Sequence, residues 1–438
     1  MSTENNAATD AATISDSGTA GTPDQGAPAP TVKTDRLLGL DFTRGIAVLG
    51  ILAANIVAFG QPMSAYMWPE AFLTPHGEIS NWLWVLQFIL IDGKMRGLFT
   101  LLFGAGLVLF MEKAWAKGAT RWLQARRLLF LFMFGLIHFY LIWPGDILLL
   151  YAVVGIAAMG CLRWAARTQI IVGALGYVVG AIMFAAMMTF PYFVVETSFG
   201  DQGPMLEQRA ELETTVTEQL ADEAEEAEIH AGGSYAAHIA HRFTQHGWMP
   251  FINILMFSLE TLPLMLLGMG LFRIGLFSGG IDPGQQRKIG WASLIFGTAL
   301  TVPIGLWALN NGLTYWGSLA AFMGFSFLPR LFMVIGLAAL LALWGATATG
   351  WLSQRFIAAG RMAFSNYLGT SIVMILIFDG WAGGLWGKLT RPELYLVVLG
   401  AWAVMLLWSK PWLEVFRYGP LEWLWRCLTY GRLFPLRR

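Results

Sequence analysis

What this chain can fold into is limited first by its apolar runs. Ten stretches are apolar over lengths near the ~20 residues that carry a helix across a ~30 Å hydrocarbon core. They are Gly45–Gly60, Gly97–Glu112, Arg127–Trp143, Asp146–Arg163, Gln169–Tyr192, Met249–Phe272, Ile289–Leu309, Tyr315–Trp344, Met362–Phe378 and Glu393–Trp408. A helix bonds its own backbone groups internally, as hydrocarbon requires. The expected fold is therefore all-α, a polytopic transmembrane helical bundle of about ten spans. Composition agrees: 56% of residues are apolar, 13% are charged and the mean hydropathy is +0.57. The 49 glycines among 438 residues exceed the usual ~7%. Small pairs such as Gly176 and Gly180 let membrane helices approach closely.

The polar segments divide the chain. Residues 1–33 hold four acids and no base before Lys33, and are expected to form a disordered cytoplasmic tail. Residues 34–192 are expected to form an N-terminal membrane bundle, and 249–409 a C-terminal one. Between them lies an insert, 193–248, with eleven acids, two arginines and four of the six histidines. Residues 410–438 form a basic interfacial tail, in which GPLEWLWR reads as a glycine stop, proline at a helix start and tryptophan anchors. Lys113 to Arg127 carries five bases and no acid. With both termini cytoplasmic, most Lys and Arg fall on the inner side, as the positive-inside rule prefers, and the acidic insert falls outside, which the rule permits. Two segments are overlong. Ile79–Glu112 reads as an interfacial or re-entrant piece up to Ile91, followed by a span. Tyr315–Trp344 reads as one span broken at Pro329-Arg330, because proline removes a helix bond. Cys161 and Cys427 both fall near the cytoplasm, where a disulfide is not expected.

Three polar constellations stand out. In LDFTRGIAVLGILAAN, Asp41 precedes Arg44 by one turn and can pair with it. Arg44 and Asn55 are eleven residues apart, about three turns, so they share a face that should look into the protein. In IHFYLIWPGDILLLYAVVG, His138 lies near the outer end of one span, and Asp146 starts the next across a tight turn. A histidine oriented by a carboxylate is a general base suited to neutral pH, and its depth matches that of Asn55. In GRMAFSNYLGTS, Arg361 marks the inner start of a span, while Asn366 and Thr370 share a face. Arg361 and Arg44 together frame an inner mouth suited to a phosphate-bearing ligand. His238 and His241 share a helical face with His246 nearby, but no cysteine or carboxylate sits at ligand spacing beside them. No metal is expected, and no nucleic-acid partner.

These motifs, with the closing GPLEWLWRCLTY, resemble the YeiB-like family of bacterial inner-membrane proteins bearing a domain of unknown function. The resemblance runs from Leu40 to Tyr430 except for the insert. More distantly, LDFTRG followed by an apolar helix is similar to the first span of the transmembrane acyltransferases. These include the acyltransferase-3 proteins and the lysosomal heparan glucosaminide N-acetyltransferase. In acyltransferase-3 proteins an arginine is followed, ten residues intervening, by a catalytic histidine. Arg44 matches that arginine, and Asn55 occupies the histidine's place. Asparagine cannot accept and return a proton at neutral pH. The lysosomal enzyme is similar in having asparagine there, with its histidine beyond the first span. By order His76 is the counterpart; by depth and partner it is His138.

The resemblance implies a membrane-bound O- or N-acyltransferase of the bacterial inner membrane. Acyl-CoA would be a co-substrate bound near Arg44, Arg361 and Asn366. His138, Asp146 and Asn55 would be the catalytic group, and a glycan or small amine or alcohol the acceptor. The lipid bilayer is the one partner that composition itself requires. Two other readings fit the residues: a small-molecule transporter or channel lined by Arg44, Asn55 and His138, and a non-catalytic scaffold docking through the insert.

Overall fold

A long apolar helix near the N-terminus is the axis of the bundle. This helix, α1 (Leu38–Gly60), has 78% of its apolar stretch buried inside the protein, against 22% for the outermost helices. The structure is a computed structural model describing residues 37–232 and 234–438; the expected tail, 1–33, lies outside the described residues. After α1 the first half supplies α2 (Glu78–Leu90), α3 (Lys94–Trp115), α4 (Arg121–Ile137), α5 (Leu148–Ala158) and α6 (Ala166–Glu196). The insert folds as α7 (Gly203–Gly232) and α8 (Tyr235–Thr244). The second half supplies α9 (Met249–Arg273), α10 (Pro283–Asn310), α11 (Tyr315–Leu319), α12 (Phe327–Ala346), α13 (Trp351–Arg361), α14 (Ala363–Phe378), α15 (Arg391–Val415) and α16 (Pro420–Tyr430). Among the described residues the nearest thing to a strand is an isolated bridge between Phe416 and Arg437.

Eight helices among the described residues are long and apolar enough to cross a bilayer, or nine if α13 and α14, bent by 84°, are one span. The expected ten is reached only by adding Leu148–Arg163, which is short. Its start is delayed because Trp143 to Ile147 form the turn that aims Asp146 back at α4. Of the overlong segments, Ile79–Glu112 breaks where expected: α2 ends at Leu90 and α3 begins at Lys94, the two following one 38-residue apolar path, while the second segment breaks elsewhere than expected. Gly93 turns with φ +70°, and a side chain there would strike the Arg330 guanidinium. The break in Tyr315–Ala346 is a π turn at Ala320–Phe325, where the Ser326 N–H donates to the Ala321 carbonyl at 3.1 Å. Pro329 instead sits in the first turn of α12, where its missing N–H costs little.

Close approach of backbones sets the core. A Cβ on Gly45 would run into the Phe356 carbonyl of α13, and one on Gly360 into the Asp41 carbonyl of α1. Gly104 of α3 and Gly268 of α9 meet the partner helix's backbone in the same way. A Cβ on Gly180 of α6 would stand 2.6 Å from the Leu259 carbonyl of α9. Cys161 and Cys427 are free thiols.

Gly45→Leu should therefore overpack the α1–α13 crossing and lower stability by about 1–3 kcal/mol. Gly400→Leu, where a Cβ meets open space, should be neutral. Thermal unfolding in detergent checks this; equal midpoints for the two variants would contradict the packing account.

Candidate functional site

The site is built where α4, the turn after it and α14 converge. α4 ends at Ile137, and His138–Ile142 close a single π turn in which the Trp143 N–H donates to the His138 carbonyl at 2.7 Å. π turns recur at functional sites because the extra residue re-aims its neighbours. Here the turn brings the His138 ring inside the bundle, fully buried. Asp146 caps α5: its Oδ2 accepts from the Leu149 N–H at 2.7 Å. Its Oδ1 lies 2.8 Å from His138 Nδ1. On the other side of the ring, Nε2 lies 2.9 Å from Ser371 Oγ of α14. A carboxylate only accepts, so Nδ1 carries a hydrogen. In the neutral ring Nε2 is then free to accept from the Ser371 hydroxyl. Asp146, His138 and Ser371 thus form one hydrogen-bonded array.

Two cavities flank the array: Asp146 lines one of them, while neither His138 nor Ser371 lines either. One, of about 210 Å³, is lined by Asn55, Asp146, Trp143, Arg96 and Arg330 among others. Trp143 is fixed there by stacking on Phe59, centroids 4.0 Å apart. The second, of about 290 Å³, is lined by Arg44, Arg127, Arg361, Arg426, Glu422 and Tyr367. α5 separates them, with Leu149 and Leu150 facing the first and Leu148 and Tyr151 the second. Tyr367 also packs on His138, ring centroids 5.2 Å apart, so it stands between the array and the arginine-lined cavity. α16 forms part of that cavity's wall: Trp425 donates to the Arg127 carbonyl at 2.9 Å, and the Arg127 guanidinium lies 4.4 Å from the Trp425 ring. The closing helix is therefore a packed wall of this cavity. Glu422 accepts from the Phe364 and Ser365 N–H groups at 2.8 and 3.0 Å, and burial raises its carboxyl above the usual range.

A buried polar layer supports the first cavity. Glu260 of α9 binds Arg96 of α3 through one carboxylate oxygen and Arg330 of α12 through the other, the latter at 3.2 Å. Arg330 also donates to the Phe322 carbonyl at 2.9 Å. Two guanidiniums share one carboxylate, and a second acid, Asp146, stands on the same cavity wall. The insert caps this end. Ser64 donates to Glu223 through its N–H at 3.0 Å and its hydroxyl at 2.5 Å. Arg242 donates to the Ile142 carbonyl at 2.8 Å and Tyr235 to the Leu141 carbonyl at 2.6 Å. His230 Nδ1 lies 3.0 Å from Asp379 Oδ1, with the His230 ring stacked on Trp386. Burial opposes ionisation of Asp379, but the hydrogen bond and charge of His230 outweigh it and hold its carboxyl below the usual range.

The residues named from sequence fall as follows. Arg44 pairs with Asp41 at 3.1 Å and shares the arginine-lined cavity with Arg361. Asn55 and Asp146 line the other cavity. Among the described residues the Asn55 amide has no hydrogen-bond partner. Asn366 faces neither cavity. Its amide donates to the Ala359 carbonyl at 3.1 Å and Ser409 at 3.2 Å, and accepts from Trp408 at 2.9 Å; it joins α13, α14 and α15. His76 lies apart from both cavities, beside Phe72. Burial and the Arg391 charge push it down to about 4. Ser371, Arg96 and Glu260 were not singled out by the sequence reading. Glu260 carried a usable signal, since a lone acid within an apolar run is a functional candidate. Ser371 carried none.

Fold and site together define a class: a polytopic helical membrane protein with a buried His–carboxylate pair between two internal cavities. The chain belongs to the YeiB-like family. The family profile described as "Protein of unknown function (DUF418)" matches residues 271–432. "Uncharacterized protein YeiB" of Escherichia coli (strain K12) is 31% identical over 409 residues, covering 92% of this chain and 98% of that protein. "Uncharacterized protein YxaH" of Bacillus subtilis (strain 168) is 30% identical over 434 residues, covering 93% and 98%. No solved structure matches this chain.

The cap supplies a pH test. Burial, then the charges of His230 and Arg242, push His238 down from 6.5 to about 4, with Asp379 opposing. The docked state therefore holds His238 neutral, while an undocked cap binds a proton below pH 6.5. Docking should weaken as pH falls from 6.5 toward 4, by about 2 kcal/mol after solvent screening. Limited proteolysis of the insert should accelerate across that window, and His238→Gln should flatten the dependence.

Proposed function

We propose that the protein is an integral-membrane acyltransferase of the bacterial inner membrane. It would move an acyl group from cytoplasmic acyl-CoA to a hydroxyl or amine acceptor, a glycan or small alcohol or amine, at the outer side. The observation that carries the reading is the Asp146–His138–Ser371 array between a cavity ringed by four arginines and a capped cavity. The arginine end is assigned to the cytoplasm, since bases are retained there. Arg44, Arg127, Arg361 and Arg426 are assigned to the CoA phosphates, for which guanidinium forks suit phosphate oxygens. About 290 Å³ is at the lower end for a ligand pocket, enough for the acyl-bearing arm with the nucleotide at the rim.

Chemistry proceeds in two balanced halves. The Ser371 hydroxyl passes its proton to His138 Nε2, and Oγ forms a bond to the thioester carbon. The C–S bond breaks and the departing thiolate takes the proton from His138, giving free CoA and an acyl-serine. The acceptor's O–H or N–H then gives its proton to Nε2 and its heteroatom attacks the acyl carbon. The C–Oγ bond breaks and Ser371 recovers the proton. Asp146 holds the tautomer and stabilises the imidazolium. Asn55 is assigned to donate to the oxyanion. Tyr367 must swing aside for the acyl chain to arrive. A transporter reading draws on the same two cavities meeting at a closed partition, but it gives the array no covalent role.

Isothermal titration with acetyl-CoA and longer acyl-CoAs should show binding that Arg44→Ala weakens by roughly 1.5–3 kcal/mol. Without acceptor, intact-mass measurement should find one acyl group per chain. Ser371→Ala should abolish the adduct, and His138→Ala should slow its formation roughly 10²–10⁴-fold while leaving binding intact. Absence of binding at every chain length contradicts the acyltransferase reading and favours transport.

A further inference from the structure

The cap holds two groups of three ligand-type side chains, and they differ in kind. In His230, His238 and Asp379 one nitrogen of each imidazole and both carboxylate oxygens already have partners. His230 Nδ1 lies 3.0 Å from Asp379 Oδ1, Asp379 Oδ2 accepts from Trp381 at 3.1 Å, and His238 Nε2 donates to the Ile229 carbonyl at 3.2 Å. Arg242 shares a cavity wall with His230 and Asp379, and its charge disfavours a cation there. This group is a hydrogen-bonded clasp.

The second group is Asp222 of α7 with His241 of α8 and His246 just beyond it. One donor atom from each lies within 4.8 Å of the others. His246 Nε2 and Asp222 Oδ2 are 3.8 Å apart, too far for a hydrogen bond. Two ligands on one tetrahedral ion with ~2.1 Å bonds stand roughly 3.4 Å apart, so a small shift would seat both. His241 is 7% exposed, and its Nε2 is buried without a hydrogen-bond partner. Leaving such a nitrogen bare is costly. Its other nitrogen, Nδ1, faces Glu225 Oε1 at 3.8 Å, beyond hydrogen-bond distance, so this carboxylate must close in by the same small shift before it can orient a metal-bound imidazole. Asp222 and His246 are partly exposed, so an ion can enter from solvent and keep water as its fourth ligand. The sequence spacing beside the histidines lacked a carboxylate; folding α7 against α8 supplies it.

We propose that Asp222, His241 and His246 form a binding site for a divalent transition-metal ion of the zinc class, which fastens the cap over the outer cavity. Two imidazoles with one carboxylate select such an ion over Ca²⁺ or Mg²⁺. The ligands sit next to the cap's anchors. Asp222 precedes Glu223, which accepts from Ser64, and His241 precedes Arg242, which donates to the Ile142 carbonyl. An ion joining Asp222 to His241 therefore ties one anchor to the other. The proposal does not depend on the acyltransferase reading.

The test uses the tag-free full chain in detergent, stripped with chelator and then titrated with Zn²⁺ or Co²⁺. One ion per chain is expected, with the visible bands of tetrahedral cobalt. Asp222→Asn and His246→Gln, both partly exposed and able to fold, should each weaken Zn²⁺ binding roughly tenfold or more. His230→Gln should leave it unchanged. Zn²⁺ should also slow proteolysis of the insert at neutral pH in the wild type but not in Asp222→Asn. No stoichiometric binding, binding that survives in both ligand variants, or loss with His230→Gln alone would overturn the assignment.

Discussion

The hydrogen bond from His138 Nδ1 to Asp146 is the interaction on which the interior depends. Both side chains are essentially without solvent, so neither tolerates losing its partner: an unpaired charge or bare ring nitrogen at that depth costs several kcal/mol. The chain meets this demand locally. A π turn re-aims His138, the Pro144-Gly145 turn reverses the backbone, and Asp146 spends its second oxygen capping α5. The shortness of α5 follows, and so does the partition that α5 makes between the cavities. One polar pair thus explains a broken helix, a late helix start and the division of the interior.

Charge elsewhere obeys the same rule. Glu260 is shared by two arginines from different helices, and Arg330 is further bonded to the Phe322 carbonyl within a π turn. The second broken helix thus serves as an acceptor for a cation that lipid would not admit. The glycine contacts that draw α1 against α13, and α3 against α9, bring these groups within reach of one another. The acidic insert closes the end of the bundle where the Asn55 cavity lies, through bonds to Ser64, Leu141, Ile142 and Asp379.

Much of this was legible in the sequence. Apolar runs fixed the helical membrane class, and intramembrane polarity drew attention to Arg44, Asn55, His138 and Asp146. The pairs Asp41–Arg44 and His138–Asp146 lie within eight residues of each other, a range over which helix geometry is informative. A polar residue on an inward face serves helix packing as readily as a cavity, and the three partners of Asn366 lie on neighbouring helices. Ser371 carried no signal of its own because a serine in an apolar helix usually bonds its own i−4 carbonyl, as Ser371 does to Tyr367 at 3.4 Å; its contact with His138 spans 233 positions. Pro329 drew the break to itself, although proline is harmless in a first helical turn.

The central claim is that acyl transfer happens at the Asp146–His138–Ser371 array. A structure of the full chain with a non-transferable acyl-CoA thioether tests it most directly. The account predicts phosphates at Arg44 and Arg361, Tyr367 displaced, and the thioether carbon beside Ser371 Oγ. A ligand seated away from the array, or an undisturbed Tyr367 with both cavities empty of it, would contradict the account.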